Sequence, residues 1–222
     1  MSVVTRKLVA KELHVHRWFM AGAAIPAALS AAICAFGDAA FNIGALTWMT
    51  TIIAFGVMIA LYGVMNERKE HSLQFVLSLP LSIGEYVRAK MLGLLLCYFV
   101  VWFVAAGSAI VMVISAPRVP DGLLPYTVLL CMFMFSNFAV VVCGALHARS
   151  EAMTSAVIIL TNMAVSVFMF TVGALPGLKT YMTGSTPVWN ATFYNVLIVE
   201  LIVLVIAVTL PLATAARRRD FI

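Results

Sequence analysis

The chain has 222 residues, 64% of them hydrophobic and only 10% charged, with a formal net charge of +5. Ordinary globular domains hold roughly 25% charged residues, so this composition excludes a soluble domain of the usual kind and identifies an integral membrane protein. The basic residues stand between apolar runs instead of interleaving with aromatics, which argues against nucleic acid as a partner and makes topology the meaning of the positive charge.

Residues 1–17, "MSVVTRKLVAKELHVHR", set basic positions among Val4, Leu8 and Val15 at nearly helical spacing. That pattern predicts an amphipathic helix lying at an anionic membrane surface, or a basic flank that only sets topology. The length of the basic region and the lack of a distinct small-residue cleavage site behind it favour a retained segment over a signal peptide. Apolar runs of about 20 residues, enough to cross a ~30 Å hydrocarbon layer, recur from there on. Six spans are predicted: Trp18–Phe36, Phe41–Met65, Met91–Ser115, Leu123–Leu146, Ala152–Leu175 and Phe193–Ala215. The first contains "AGAAIPAALSAA", residues 21–32. Small residues let helix backbones approach closely in lipid, so this run predicts a tight seam within the chain or with a second copy. Pro26 is tolerable there because neighbouring helices can satisfy the carbonyl it frees.

Between the second and third spans lies "NERKEHSLQFVLSLPLSIGEYVRAK", residues 66–90, with seven of the chain's 23 Asp, Glu, Lys and Arg side chains. If helical, it places Phe75, Val76, Leu79 and Ile83 along one face, with Pro80 interrupting or re-aiming the chain. An apolar face flanked by charge suits a docking surface for another protein, or a loop resting on lipid, and residue types alone leave both open. The segment 176–192, "PGLKTYMTGSTPVWNAT", precedes the sixth span. Its Tyr181 and Trp189 suit headgroup depth, where such a loop can dip into the interface or cap a pathway. The sequon Asn190–Thr192 has meaning only in a glycosylating secretory system.

Six spans put both termini on one side. Twelve of the fourteen Lys and Arg residues fall in the N-terminal segment, in residues 66–90, at Arg149 and in the tail Arg217–Arg219, against Arg118 and Lys179 in the other loops. The positive-inside rule then predicts cytoplasmic termini and a cytoplasmic 66–90 segment, with 176–192 outside.

Little in the chain points to bond chemistry. Cys34, Cys97, Cys131 and Cys143 all sit in apolar runs without CxxC spacing and read as small core residues. His14, His16, His71 and His147 belong to cytoplasmic segments or span ends, and there is no H-E-x-x-H, G-x-S-x-G or carboxylate cluster. No P-loop occurs, so any ATP dependence must come from a partner. Glu200 is the one carboxylate well inside a span, about seven residues or roughly 10 Å into the last helix. An intramembrane charge is a functional candidate by default; the bland alternative is a carboxyl hydrogen-bonded to Asn162, Ser166 or Thr171 of the preceding helix. Asn137 and Asn162 suit interhelical hydrogen bonding.

Residues 66–90 resemble the cytoplasmic segment of type-2 ABC exporter permeases, the membrane subunits of ATP-binding-cassette transporters. The matching residues are Glu67, Arg68, Glu70, Ser72, Leu73, Leu77, Leu79, Pro80, Ser82 and Lys90, with His71-Ser72 where Gly-Thr is frequent. The resemblance extends to the whole plan: a basic N-terminal helix over residues 1–17, six transmembrane helices in one permease domain over residues 1–222, and a coupling segment after the second helix. It implies an all-α membrane protein of a prokaryotic inner membrane that pairs with a second permease, identical or related, and docks ABC ATPase subunits through Glu67, Glu70, Phe75, Leu79 and Pro80. ATP and Mg would bind only in those subunits, with no cofactor and no catalytic residue in this chain. Asn162 and Glu200 are the pathway candidates, for an amphipathic peptide, lipid or drug. The competing classes are a membrane scaffold or assembly factor that docks a different partner, and a proton-coupled secondary transporter using Glu200, which lacks an evident inverted repeat.

Overall fold

The computed structural model describes residues 3–65, 83–148 and 150–215. Among them six long helices carry the fold: α1 (Val3–Ile33), α2 (Asp38–Ala60), α3 (Ile83–Ser115), α4 (Leu124–His147), α5 (Glu151–Gly173) and α6 (Ala191–Ala215). The connections are 3-10 turns at Cys34–Phe36 and Asp121–Leu123 and a one-turn helix at Pro176–Lys179, while α2 ends in a π-helical turn, Leu61–Met65. All six helices are long and apolar enough to cross a membrane, so the six predicted spans each have their helix. Hydrocarbon offers no water to the main chain, and a helix satisfies its own N–H and C=O groups within the segment.

Two ends of the bundle are defined by cross-links. At one end Arg118 Nη1 donates to Phe36 O at 3.3 Å, and Gly122 N donates to Gly184 O at 2.9 Å. These bonds gather the α1–α2, α3–α4 and α5–α6 connections. At the opposite end Lys90 meets Glu12, and His147 Nε2 lies 2.9 Å from Thr214 Oγ1. The start of α1 and the end of α6 therefore share one end, the basic one, as an even number of spans requires.

Helix lengths differ in a way hydropathy did not reveal. The helices α2, α4, α5 and α6 have 23–25 residues, or about 35 Å, close to the thickness of a hydrocarbon layer. With 31 and 33 residues, α1 and α3 run to about 46 and 50 Å at the α-helical rise. The surplus lies at the basic end, where the residues before Trp18 and before Met91 continue their helices without a break. The segment expected as a separate interfacial helix over residues 1–17 is thus, from Val3, the first half of α1. Of the expected coupling segment, residues 83–90 are the first turns of α3. Glu67, Glu70, Phe75, Leu79 and Pro80 lie outside the described residues.

Packing explains the continuity. The helices α1 and α3 make the most extensive contact of the bundle, and Thr5, Val9, Glu12 and His16 are buried along one stripe of α1. Val4 and Val15, the apolar positions that suggested an interfacial helix, face outward at 39% and 54% exposure. Further along α1, Ala23, Ala27 and Ala31 are buried at four-residue intervals, and α2 presents Gly44 to the same seam. A Cβ on Gly44 would stand 2.6 Å from both Ser30 O and Cys34 Sγ. The small-residue run therefore serves an intramolecular seam, where close backbone approach supplies the dispersion contacts that hold helices together in lipid.

The centre is α4, against which α3, α5 and α6 all pack. A side-chain donor reaches a main-chain carbonyl across each of these contacts and across that of α2 with α3. Trp48 Nε1 donates to Ala105 O at 3.0 Å, Trp102 Nε1 to Cys131 O at 2.7 Å, Tyr126 OH to Met169 O at 3.4 Å and Ser136 Oγ to Glu200 O at 3.2 Å. Tyr98 stacks on Phe138 with centroids 3.9 Å apart and is buried among α2, α3 and α4. Cys34, Cys97 and Cys131 are buried and Cys143 is half-buried, consistent with packing roles.

Overpacking the α1–α2 seam tests this arrangement. Gly44→Val should cost about 1–3 kcal/mol and lower the thermal midpoint of the detergent-solubilised protein. Gly107→Ala should not lower it, because a Cβ there meets nothing within 4 Å and alanine is the better helix former.

Candidate functional site

Two buried ionisable groups stand apart from the apolar bundle, and the helix register explains both. The first is at the basic end. On α1, Thr5, Val9, Glu12 and His16 follow one another at intervals of four and three residues and so share a face. The face meets the opening turns of α3, where Lys90 Nζ lies 2.8 Å from Glu12 Oε1, with side chains 3% and 8% exposed. His16 Nδ1 donates to Glu12 O at 2.9 Å and lies 3.7 Å from Glu12 Oε2. Across from the pair, Gly93 leaves the room Glu12 occupies: a Cβ there would stand 2.8 Å from Glu12 Cγ.

This cluster escaped the sequence reading for a definite reason. Lys90 was counted among the solvated charges that set topology, whereas α3 carries it inward. Glu12 offered the one available signal: it is the only acidic residue before Asp38, and it precedes His16 by one helical turn. Neither observation names a partner 78 residues away.

The second group is Glu200. With α6 starting at Ala191, Glu200 is about nine residues or roughly 13 Å along the helix, deeper than the sequence-based start at Phe193 implied and close to the middle of the span. Its neighbours on the same face of α6 are Phe193, Ala207 and Pro211, all buried, so the carboxyl occupies a position in an apolar stripe. The residue is 5% exposed, and neither carboxyl oxygen has a hydrogen-bond partner among the described residues. The alternative reading, a carboxyl hydrogen-bonded to Asn162, Ser166 or Thr171, is not the one the structure shows. The reason is the packing: α6 lies against α4, where Ser136 reaches the Glu200 main-chain carbonyl and not its carboxyl group. Asn162 is half-buried on α5, and Ser166 and Thr171 are exposed there. The two pathway candidates thus occupy different helices and are not joined by a hydrogen bond.

The remaining polar candidates take structural places. His147 Nδ1 donates to Cys143 O at 2.8 Å while Nε2 faces Thr214 on α6, tying the basic ends of α4 and α6. Asn190 Nδ2 donates to Gly177 O and Asn190 Oδ1 accepts from Phe193 N at 3.0 Å, so the sequon amide caps α6 and holds the loop. Beneath that loop Leu178 and Phe193 pack with Leu129, Phe168 and Val172, closing α4, α5 and α6 at the end opposite the basic one. Among the described residues no group of three or more His, Cys, Asp or Glu is placed to hold a metal ion.

No family model matches the chain, and neither the curated proteins nor the solved structures compared with it give a match.

Breaking a buried ion pair by removing one partner typically costs about 3–5 kcal/mol, because the other charge is stranded. Glu12→Gln and Lys90→Met should each lower the thermal midpoint by more than the pair of changes together, which a double-mutant cycle measures. Glu200→Leu should raise the midpoint, since it removes a buried polar group without a partner, worth about 1–3 kcal/mol. A fall on Glu200→Leu would mean that the carboxyl makes a stabilising contact in the membrane.

Proposed function

We propose that this chain is the membrane-spanning subunit of an ATP-driven ABC exporter. It pairs with a second permease and with cytoplasmic ATPase subunits and performs no bond chemistry itself; ATP and Mg belong to the partner. The observation that carries the proposal is the attachment of the charged segment. Residues 66–82, with most of the family-like positions, are bounded by the π-helical end of α2 and the first turn of α3. The first two turns of α3 end in Lys90, which is ion-paired to α1. A displacement applied to the segment therefore has a short, rigid route into two long helices that share the bundle's most extensive contact.

In this mechanism the bundle has two packings, open to one side or the other, and the docked ATPase changes their populations. Charges on Glu67 and Glu70 orient the docking, while Phe75, Leu79 and Pro80 supply the buried contact. The termini and the segment are cytoplasmic, on the strength of the basic bias. The substrate crosses between paired permeases, where the apolar faces suit an amphipathic peptide, lipid or drug.

Glu200 favours a second reading. A mid-span carboxyl without a partner also suits a proton-coupled secondary transporter, and that reading predicts transport abolished by Glu200→Gln with no ATP hydrolysis at any stage.

Capture of the intact chain from detergent-solubilised native membranes, followed by an ATPase assay on the recovered complex, separates the two. The exporter reading predicts recovery of an ABC ATPase whose affinity for the permease falls about thirtyfold on Leu79→Asp, the loss of about 2 kcal/mol expected of an interface anchor. Unchanged affinity would remove the coupling role from Leu79. Recovery of a different cytoplasmic protein on the same segment would favour a scaffold.

A further inference from the structure

We infer that the outward face of the first five turns of α1 is a binding surface for anionic phospholipid headgroups. The inference requires a membrane protein but is independent of the exporter reading. Its basis is a separation of charge across one helix. Residues 1–37 contain a single acidic side chain, Glu12. The α1–α3 contact takes that carboxylate out of the surface, with its side chain 8% exposed and its charge met by Lys90. Opposite it, Arg6, Lys7, Lys11, His14 and Arg17 are all exposed. What the sequence shows as a mixed segment is, in three dimensions, a helix whose basic side chains lie on one face and whose own carboxylate, Glu12, is turned to the other.

An apolar side chain on the same side fits a lipid boundary better than open water: Trp18 is 74% exposed, and the Arg17 guanidinium lies 5.4 Å from its ring centroid. Phe19, on the face that carries Glu12 and His16, is 41% exposed and stacks on Tyr62 of the π-helical turn, with centroids 5.6 Å apart. Aromatic rings of this kind concentrate at headgroup depth, and long basic side chains reach from there to phosphate. The apolar part of α1 begins at Trp18, so Arg17 stands at that boundary and Arg6 and Lys7 about three turns, or roughly 15 Å, beyond it. This places Arg17 level with phosphate groups and Arg6 and Lys7 on the water side of them, where the surface potential of the leaflet still acts. The surface potential of an anionic leaflet attracts such segments by on the order of fivefold per basic residue.

The test uses the full chain in phosphatidylcholine vesicles with spin-labelled phosphatidylglycerol or phosphatidylcholine as the probe. The wild type should prefer phosphatidylglycerol several-fold, and the preference should shrink when salt is raised from low to about 0.5 M, as screening requires. The triple variant Arg6→Gln, Lys7→Gln, Arg17→Gln, checked for unchanged helix content, should lose most of it. Arg6→Lys with Arg17→Lys should retain it, and so should a variant with Arg217, Arg218 and Arg219 changed to Gln. A salt-independent preference, a triple variant indistinguishable from wild type, or loss confined to the tail variant would each overturn the assignment.

Discussion

The contact between Glu12 and Lys90 constrains more of this molecule than any other single interaction. Both groups belong to segments whose hydrophilicity would ordinarily keep them in water, and both are buried because each has the other at 2.8 Å. Taking two charges out of solvent is costly, and only close, well-oriented pairing offsets the cost. The pair therefore sets the register of α1 against α3 beyond the apolar spans, where hydrocarbon no longer presses helices into parallel arrays. Two consequences follow from that register. The charged segment re-enters the bundle on a helix already anchored, and the remaining cations of α1 are left together on its outer face.

Glu200 shows the opposite solution to the same problem. It too sits on a stripe where neighbours are apolar, but no donor faces its carboxyl oxygens among the described residues. Ser136 spends its hydroxyl on the main chain of α6 instead. A polar group in hydrocarbon without a partner is destabilising, so its retention in a helix otherwise made of Leu, Ile and Val sets it apart from the aromatic and serine contacts that hold α4 to its neighbours. Those contacts are complete within the fold, whereas the Glu200 carboxyl oxygens have no hydrogen-bond partner among the described residues.

Much of the plan was legible because hydropathy is a local property. Six apolar runs of sufficient length, separated by polar connections, had to become helices, since in lipid each segment must satisfy its own main chain. The small-residue run of residues 21–32 announced a close seam, and the structure shows where it closes, on Gly44 of α2. Of the two readings open for Glu200, hydrogen bonding to the preceding helix fails because adjacency in sequence is not adjacency in space. The fifth and sixth spans are consecutive, yet each packs on α4, which turned Glu200 away from Asn162.

What the sequence by itself determined is the class of protein, the number of spans, the shared side of the termini and the concentration of charge in residues 66–90. All of these depend on composition within a window of about 20 residues and on the thickness of a bilayer. What only the tertiary structure decided is which charges are solvated. Helix continuity carried Glu12 and Lys90 to the same depth, and the rotation of α1 and α3 about their axes turned them toward each other and turned Arg6, Lys7 and Arg17 away. Rotation is set by side-chain packing between helices far apart in the chain, and no window of sequence contains both partners.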